Sequence, residues 1–153
     1  MYSKVLVPLD GSELAECALP ELIRLCKGGM VGEAILLRVV STEVIRIPKS
    51  YERSIDVEAL RNANRAEAAK YLDDVESRLK AKGIKVRKEL LEGRPEEQII
   101  DYARSLPADL IVLATHGYTG MKRLMFGSVA LQVLHDAKVP VLLIRAFPGP
   151  EKA

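Results

Sequence analysis

The stretch Leu110-Ile111-Val112-Leu113-Ala114-Thr115-His116-Gly117, followed after nine residues by Gly127-Ser128, decides how this chain is read. Leu110 to Ala114 is apolar without interruption, the pattern of a strand buried on both faces of a parallel sheet rather than of a half-exposed one. Glycines and polar residues come next, and Ser128 opens a helical pattern that runs to Ala137. Strand, glycine loop and helix thus follow one another directly.

Working outward, the same pattern recurs. Val5-Leu6-Val7 and Ile35 to Val40, the latter interrupted only by Arg38, are continuous apolar runs, each followed by a helical pattern. Val139 to Ile144 is a further apolar run. Ile84 to Leu91 alternates more openly, with Lys85, Arg87 and Glu89 on one side, which suits a sheet edge. Helices are expected over Glu13 to Leu25, Asp56 to Lys82, Pro95 to Ser105 and Ser128 to Ala137. In the second, Leu60, Ala68, Leu72, Val75 and Leu79 recur at helical spacing, and Gly83 stands past its end as a left-handed stop. Pro95 opens the third helix where a missing amide costs nothing. Pro20 falls inside the first and should kink or restart it.

Five alternations of strand and helix predict an α/β fold: a three-layer, doubly wound, five-stranded parallel sheet of order 3-2-1-4-5, with right-handed crossovers and helices on both faces. The switch point then lies between strands one and four, and ligands bind at the carboxyl ends there. The chain of 153 residues fits one domain, expected over residues 1–147 with a flexible C-terminal tail at 148–153. Ser41 to Ile55 is too long for an ordinary connection and is a candidate flap.

Composition narrows the partners. The 23 basic and 21 acidic residues are interspersed, giving net charge +2, so no basic face argues for nucleic acid or an anionic membrane. Met1 to Pro8 runs straight into a strand pattern with neither a signal peptide nor a membrane span, so a cytoplasmic location is expected. Cys17 and Cys26, in one expected helix, stand roughly 13 Å apart in rise and cannot pair. They read as apolar fillers in a reducing compartment.

The strands at the switch point end in Pro8-Leu9-Asp10-Gly11-Ser12 and Ala114-Thr115-His116-Gly117. After the second come Gly117-Tyr118-Thr119-Gly120, then Met121 to Phe126, then Gly127-Ser128. Glycines allow positive φ and close approach, and helix N-terminal amides attract an anion. From Leu110 to His135 there is no carboxylate, while Lys122 and Arg123 sit in the loop. A phosphate cradle and a plain tight surface loop both fit this spacing.

The stretch Ala114-Thr115-His116-Gly117, nine residues, Gly127-Ser128, then Pro140-Val141-Leu142-Leu143-Ile144 resembles the C-terminal half of the universal stress protein family. Val5 to Ser12, Gly93-Arg94-Pro95 and Asp109-Leu110-Ile111-Val112 extend the resemblance over nearly the whole chain. The family's nucleotide-binding branch carries a glycine, two residues, a glycine, nine residues, then glycine and Ser or Thr. Gly117, Gly127 and Ser128 match; the first position is Ala114. The resemblance implies ATP or AMP as ligand, with Mg as a possible companion of the phosphates. It implies Pro8 and Asp10 beside base and ribose and Val39 presenting backbone to adenine. Gly117, Gly127, Ser128 and Val129 would give amides to the phosphates, and Ser128 also its hydroxyl. Leu9, Leu113, Ala114, His116 and Gly120 complete the implied site. Ala114 adds one methyl, which matters only where backbone or ligand demands a glycine.

Asp10 is also fit to cap a turn, and His116 either touches phosphate or covers the loop. His135, near the end of its helix, suits the dipole there. No Cys or His pair has metal-ligand spacing. The loop is neither a Walker A sequence nor a nucleophile elbow and has no acidic base, so any ATP hydrolysis should be slow. A receiver domain would need clustered acids after strand one and a lysine ending strand five, where this chain has Asp10 alone and Arg145. Val141 to Ile144 at a sheet edge suggest a homodimer. Three readings remain: a nucleotide-dependent switch or sensor in stress response, a dimeric interaction module of the same fold without nucleotide, and a slow ATPase.

Overall fold

The computed structural model describes residues 1–42, 56–116 and 127–146. Its elements run β1 (Tyr2–Pro8), a 3-10 turn (Ala15–Ala18), α1 (Leu19–Lys27), β2 (Val31–Ser41), α2 (Val57–Lys80), β3 (Val86–Gly93), α3 (Pro95–Ser105), β4 (Leu110–His116), α4 (Ser128–Asp136) and β5 (Val141–Ala146). The five strands form one parallel sheet in the order β3-β2-β1-β4-β5, as expected. The more openly alternating β3 takes one edge and β5 the other.

The apolar strands alternate between two cores because side-chain direction has period two. Val5, Val7, Leu36, Val112 and Ala114 face one layer, against α1 and the Leu72, Val75 and Leu79 stripe of α2. Leu6, Ile35, Leu37, Ile111 and Leu113 face the other, against Ile99 of α3 and Ala130 and Val133 of α4. Each fully buried Leu or Val contributes roughly 1.5–3 kcal/mol. Asp109 fixes where β4 enters: its carboxylate accepts the amides of Ser3 and Lys4 at 2.7 and 3.0 Å, pinning β4 to the start of β1. That register carries the ends of β1 and β4 to the same rim.

Several details depart from the sequence reading. Glu13 to Leu25 is not one helix. Pro20 has no amide for a continuous ladder, so the chain makes a 3-10 turn, with the Leu19 amide on the Glu16 carbonyl, and restarts as α1. Cys17 and Cys26 consequently sit in different helical segments, both half-buried and free of disulfide. Leu60, expected on the buried stripe, is 37% exposed, because the first turns of α2 stand beyond the sheet and burial begins at Ala68. Arg61 and Arg65 tie that overhang back to Glu92, at 2.6 and 2.9 Å. Gly83, at φ +76, is the left-handed stop expected after α2. No described helix is long and apolar enough to cross a membrane.

Candidate functional site

At the switch point, where β1 and β4 lead their crossovers to opposite faces, the strand ends part and leave a cleft of about 290 Å³. This is the small end of the range for small-molecule sites. Pro8, Leu9 and Asp10 from the end of β1 line it, as do Leu113 and Ala114 of β4. Val39 of β2 and Gly127, Ser128 and Val129 at the start of α4 complete the expected set that the structure brings together. Gly117 and Gly120 lie outside the described residues, as do 43–55 of the expected flap and the 148–153 tail. His116 closes β4, opposite Ala146 in the ladder.

The lip at the end of β1 is held by its own side chains. Asp10 Oδ1 accepts the Ser12 amide at 2.9 Å and the Ser12 hydroxyl at 2.5 Å, and Ser12 Oγ accepts the Ala15 amide at 3.1 Å. Asp10 is therefore the turn residue one reading expected, and the residue stays exposed, with Oδ2 taking no side-chain hydrogen bond among the described residues. Gly11, at φ +87, lies on Arg38: a Cβ there would come within 3.2 Å of Nη1. The Arg38 guanidinium in turn stands 6.0 Å from the centre of the Tyr71 ring. Burial, and after it the neighbouring Glu16 carboxylate, push the Tyr71 hydroxyl well above its ordinary pKa, so it stays neutral.

The opposite lip is built differently. Gly127 is the N-cap of α4 and has no side chain to offer the first-turn amides, and no acid stands in that turn. Helices α1, α2 and α3 all carry a glutamate there. The positive end of α4, with three amides lacking intrahelical acceptors, opens on the cleft with no side-chain cap or first-turn acid among the described residues. Gly127 adopts φ −52 and ψ 141, so the positive φ expected of a cradle glycine is not what this position uses; what it supplies is the absence of a side chain. Ala114 sits in regular strand opposite Ile144, with a backbone that any residue adopts.

Between the lips the wall is apolar, from Leu37, Val39, Ile99 and Leu113, and Pro95 brings in the first turn of α3. Leu14, Ala15, Pro95, Ile99 and Thr115 belong to the wall though the sequence reading did not place them in the site. Asp10 is the single ionisable side chain among the described lining residues, and no cluster of three or more metal-ligating residues exists among the described residues. An apolar slot with one carboxylate at one end and uncompensated amides at the other can hold a flat apolar group, a hydroxyl and an anion in line.

Comparison with known proteins agrees on the architecture. A model of the universal stress protein family matches residues 1–145. Universal stress protein MJ0531 of Methanocaldococcus jannaschii is 32% identical over 95% of this chain and 83% of its own length. The solved structure of MJ0577, from the same organism, superposes with a TM-score of 0.79 at 32% identity, covering 97% of this chain and 99% of its own. UspA from Lactobacillus plantarum superposes with a TM-score of 0.74 at 28% identity, over 94% and 98%. More distant structures of the same fold include a universal stress protein in complex with cAMP and an Arabidopsis thaliana family member with AMP bound, at 21% and 18% identity.

Proposed function

The chain belongs to the universal stress protein family, and from that premise we propose that its switch-point cleft binds an adenine nucleotide, ATP or AMP, and that the protein acts as a nucleotide-dependent switch. The observation that carries the reading is the asymmetry of the cleft. Adenine fits the apolar slot walled by Val39, Leu37 and Ile99; the ribose hydroxyls donate to Asp10 Oδ2; the phosphates take the amides of Ser128 and Val129 and the Ser128 hydroxyl. Any Mg would arrive with the phosphates rather than on a site of the chain's own. Ala114 is compatible with this pose because its backbone is ordinary strand, and the ligand meets one methyl where the family's nucleotide-binding branch has none.

The test is nucleotide analysis of the purified protein, followed by calorimetric titration with ATP and AMP in the presence of Mg. The reading expects one site per chain; no binding at millimolar ATP overturns it.

The β5 edge favours a companion proposal, a homodimer. Val141, Leu142, Leu143 and Ile144 are half-buried on β5, the last strand of the sheet among the described residues, and an apolar edge strand invites pairing with a second β5. Sedimentation should show a dimer at micromolar concentration, and a monomer there refutes it.

A further inference from the structure

The geometry points to Thr115 as a ligand-sensing residue of the cleft: its hydroxyl donates to a phosphate oxygen of the bound nucleotide and is paired only when that phosphate is present. The inference rests on the nucleotide reading above and adds to it a residue which that reading does not use.

Thr115 is 3% exposed, and it is the one polar or charged residue in the buried class among the described residues. Its Oγ1 is shielded from solvent and, like Arg38 Nε and the Tyr71 hydroxyl, has no hydrogen-bond partner among the described residues; of these three groups Thr115 is the one that lines the cleft. A buried hydroxyl without a partner is destabilising on the scale of a lost hydrogen bond, so such groups are rare unless something outside the chain completes them. Its place says what that is. Strand alternation, with Leu113 in the α3 and α4 core and Ala114 in the other, turns Thr115 toward the face that carries α4. There it shares the cleft wall with Gly127, Ser128 and Val129, beside the uncapped, acid-free start of α4. One χ1 step exchanges Oγ1 with the methyl, so the hydroxyl has two staggered positions on that face from which to meet an incoming oxygen. An anion drawn to the helix end supplies the missing acceptor, and charge assistance makes that bond stronger than a neutral one.

A purely packing role for Thr115 makes different predictions, because valine fills the same volume without the hydroxyl. The experiment is calorimetric titration of the full chain and of Thr115→Val and Thr115→Ser with ATP, AMP and adenosine, together with ligand-free melting curves. Thr115→Val should weaken ATP and AMP about tenfold and leave adenosine within about twofold, while its ligand-free melting temperature holds or rises. Thr115→Ser should keep wild-type selectivity for the phosphorylated ligands. Undiminished AMP binding by Thr115→Val overturns the assignment, as does an equal loss for adenosine or a lowered melting temperature without ligand. Wild-type protein that binds none of the three overturns the nucleotide reading itself, an outcome distinct from the others.

Discussion

The two lips of the cleft are made of similar residues, short polar side chains and glycines at strand ends, yet they are finished in opposite ways. At the end of β1, Asp10, Ser12 and the Ala15 amide satisfy one another, and Gly11 closes the turn over Arg38. Across the cleft, Thr115 Oγ1 has no partner, Gly127 cannot cap and the first turn of α4 holds no acid. The rim of the first lip pairs its own polar groups through Asp10 Oδ1, while beneath it the buried Arg38 Nε and the Tyr71 hydroxyl have no hydrogen-bond partner among the described residues and stand outside the cleft lining. The second lip has polar groups without partners among the described residues, and the proposed orientation of the nucleotide rests on that difference at the cleft.

Substitutions can break or sharpen that contrast. The largest effect is expected at the unfinished lip: Gly127→Leu, tolerated by a backbone at φ −52, should weaken ATP by about 100-fold, ~3 kcal/mol, with an unchanged circular dichroism spectrum. Calorimetry showing unchanged affinity would remove the phosphates from α4. Asp10→Ala touches both ligand and scaffold, so it should cost about tenfold in affinity for ATP and adenosine alike and roughly 1 kcal/mol in denaturant unfolding. Equal affinity for adenosine would take the ribose away from Asp10.

Within the finished lip the effects move from binding to stability. Gly11→Ala places a methyl at φ +87 and within 3.2 Å of Arg38, and should destabilise by about 1–2 kcal/mol in urea unfolding. Ser12→Ala, the mildest change, removes the hydroxyl that links Asp10 to Ala15 and should cost about 0.5–1 kcal/mol while nucleotide affinity stays within about twofold. A larger loss of affinity than of stability at Ser12 would blur the distinction between the lips.

The contrast also separates what the residues announced from what they withheld. Strand order was legible because central parallel strands must be apolar on both faces, so Val5-Leu6-Val7 and Leu110 to Ala114 stood out, while Lys85, Arg87 and Glu89 marked an edge. Asp10 and Gly127-Ser128 were legible as strand-end and helix-start residues. Pro95 and Ile99 were not, because a crossover from the far edge brings them to the cleft and nothing local records that. Thr115 was quoted only as part of a motif, since a β-branched residue in a strand is ordinary and a missing partner is visible only in three dimensions. Leu60 misled because periodicity describes a helix face but not where the sheet beneath it ends. The glycines were read for positive φ and for close approach, and at Gly127, with φ −52, only the second is available.

The central claim, that the phosphates of an adenine nucleotide sit at the start of α4 and the nucleoside against the end of β1, is tested most directly by titrating 15N-labelled protein with AMP and then adenosine. The account predicts that AMP shifts the amides of Ser128, Val129 and Ala130 together with those of Leu9 and Asp10, and that adenosine shifts Leu9 and Asp10 while leaving the three α4 amides nearly in place. Shifts centred on another surface, or α4 amides that respond equally to adenosine, would contradict it.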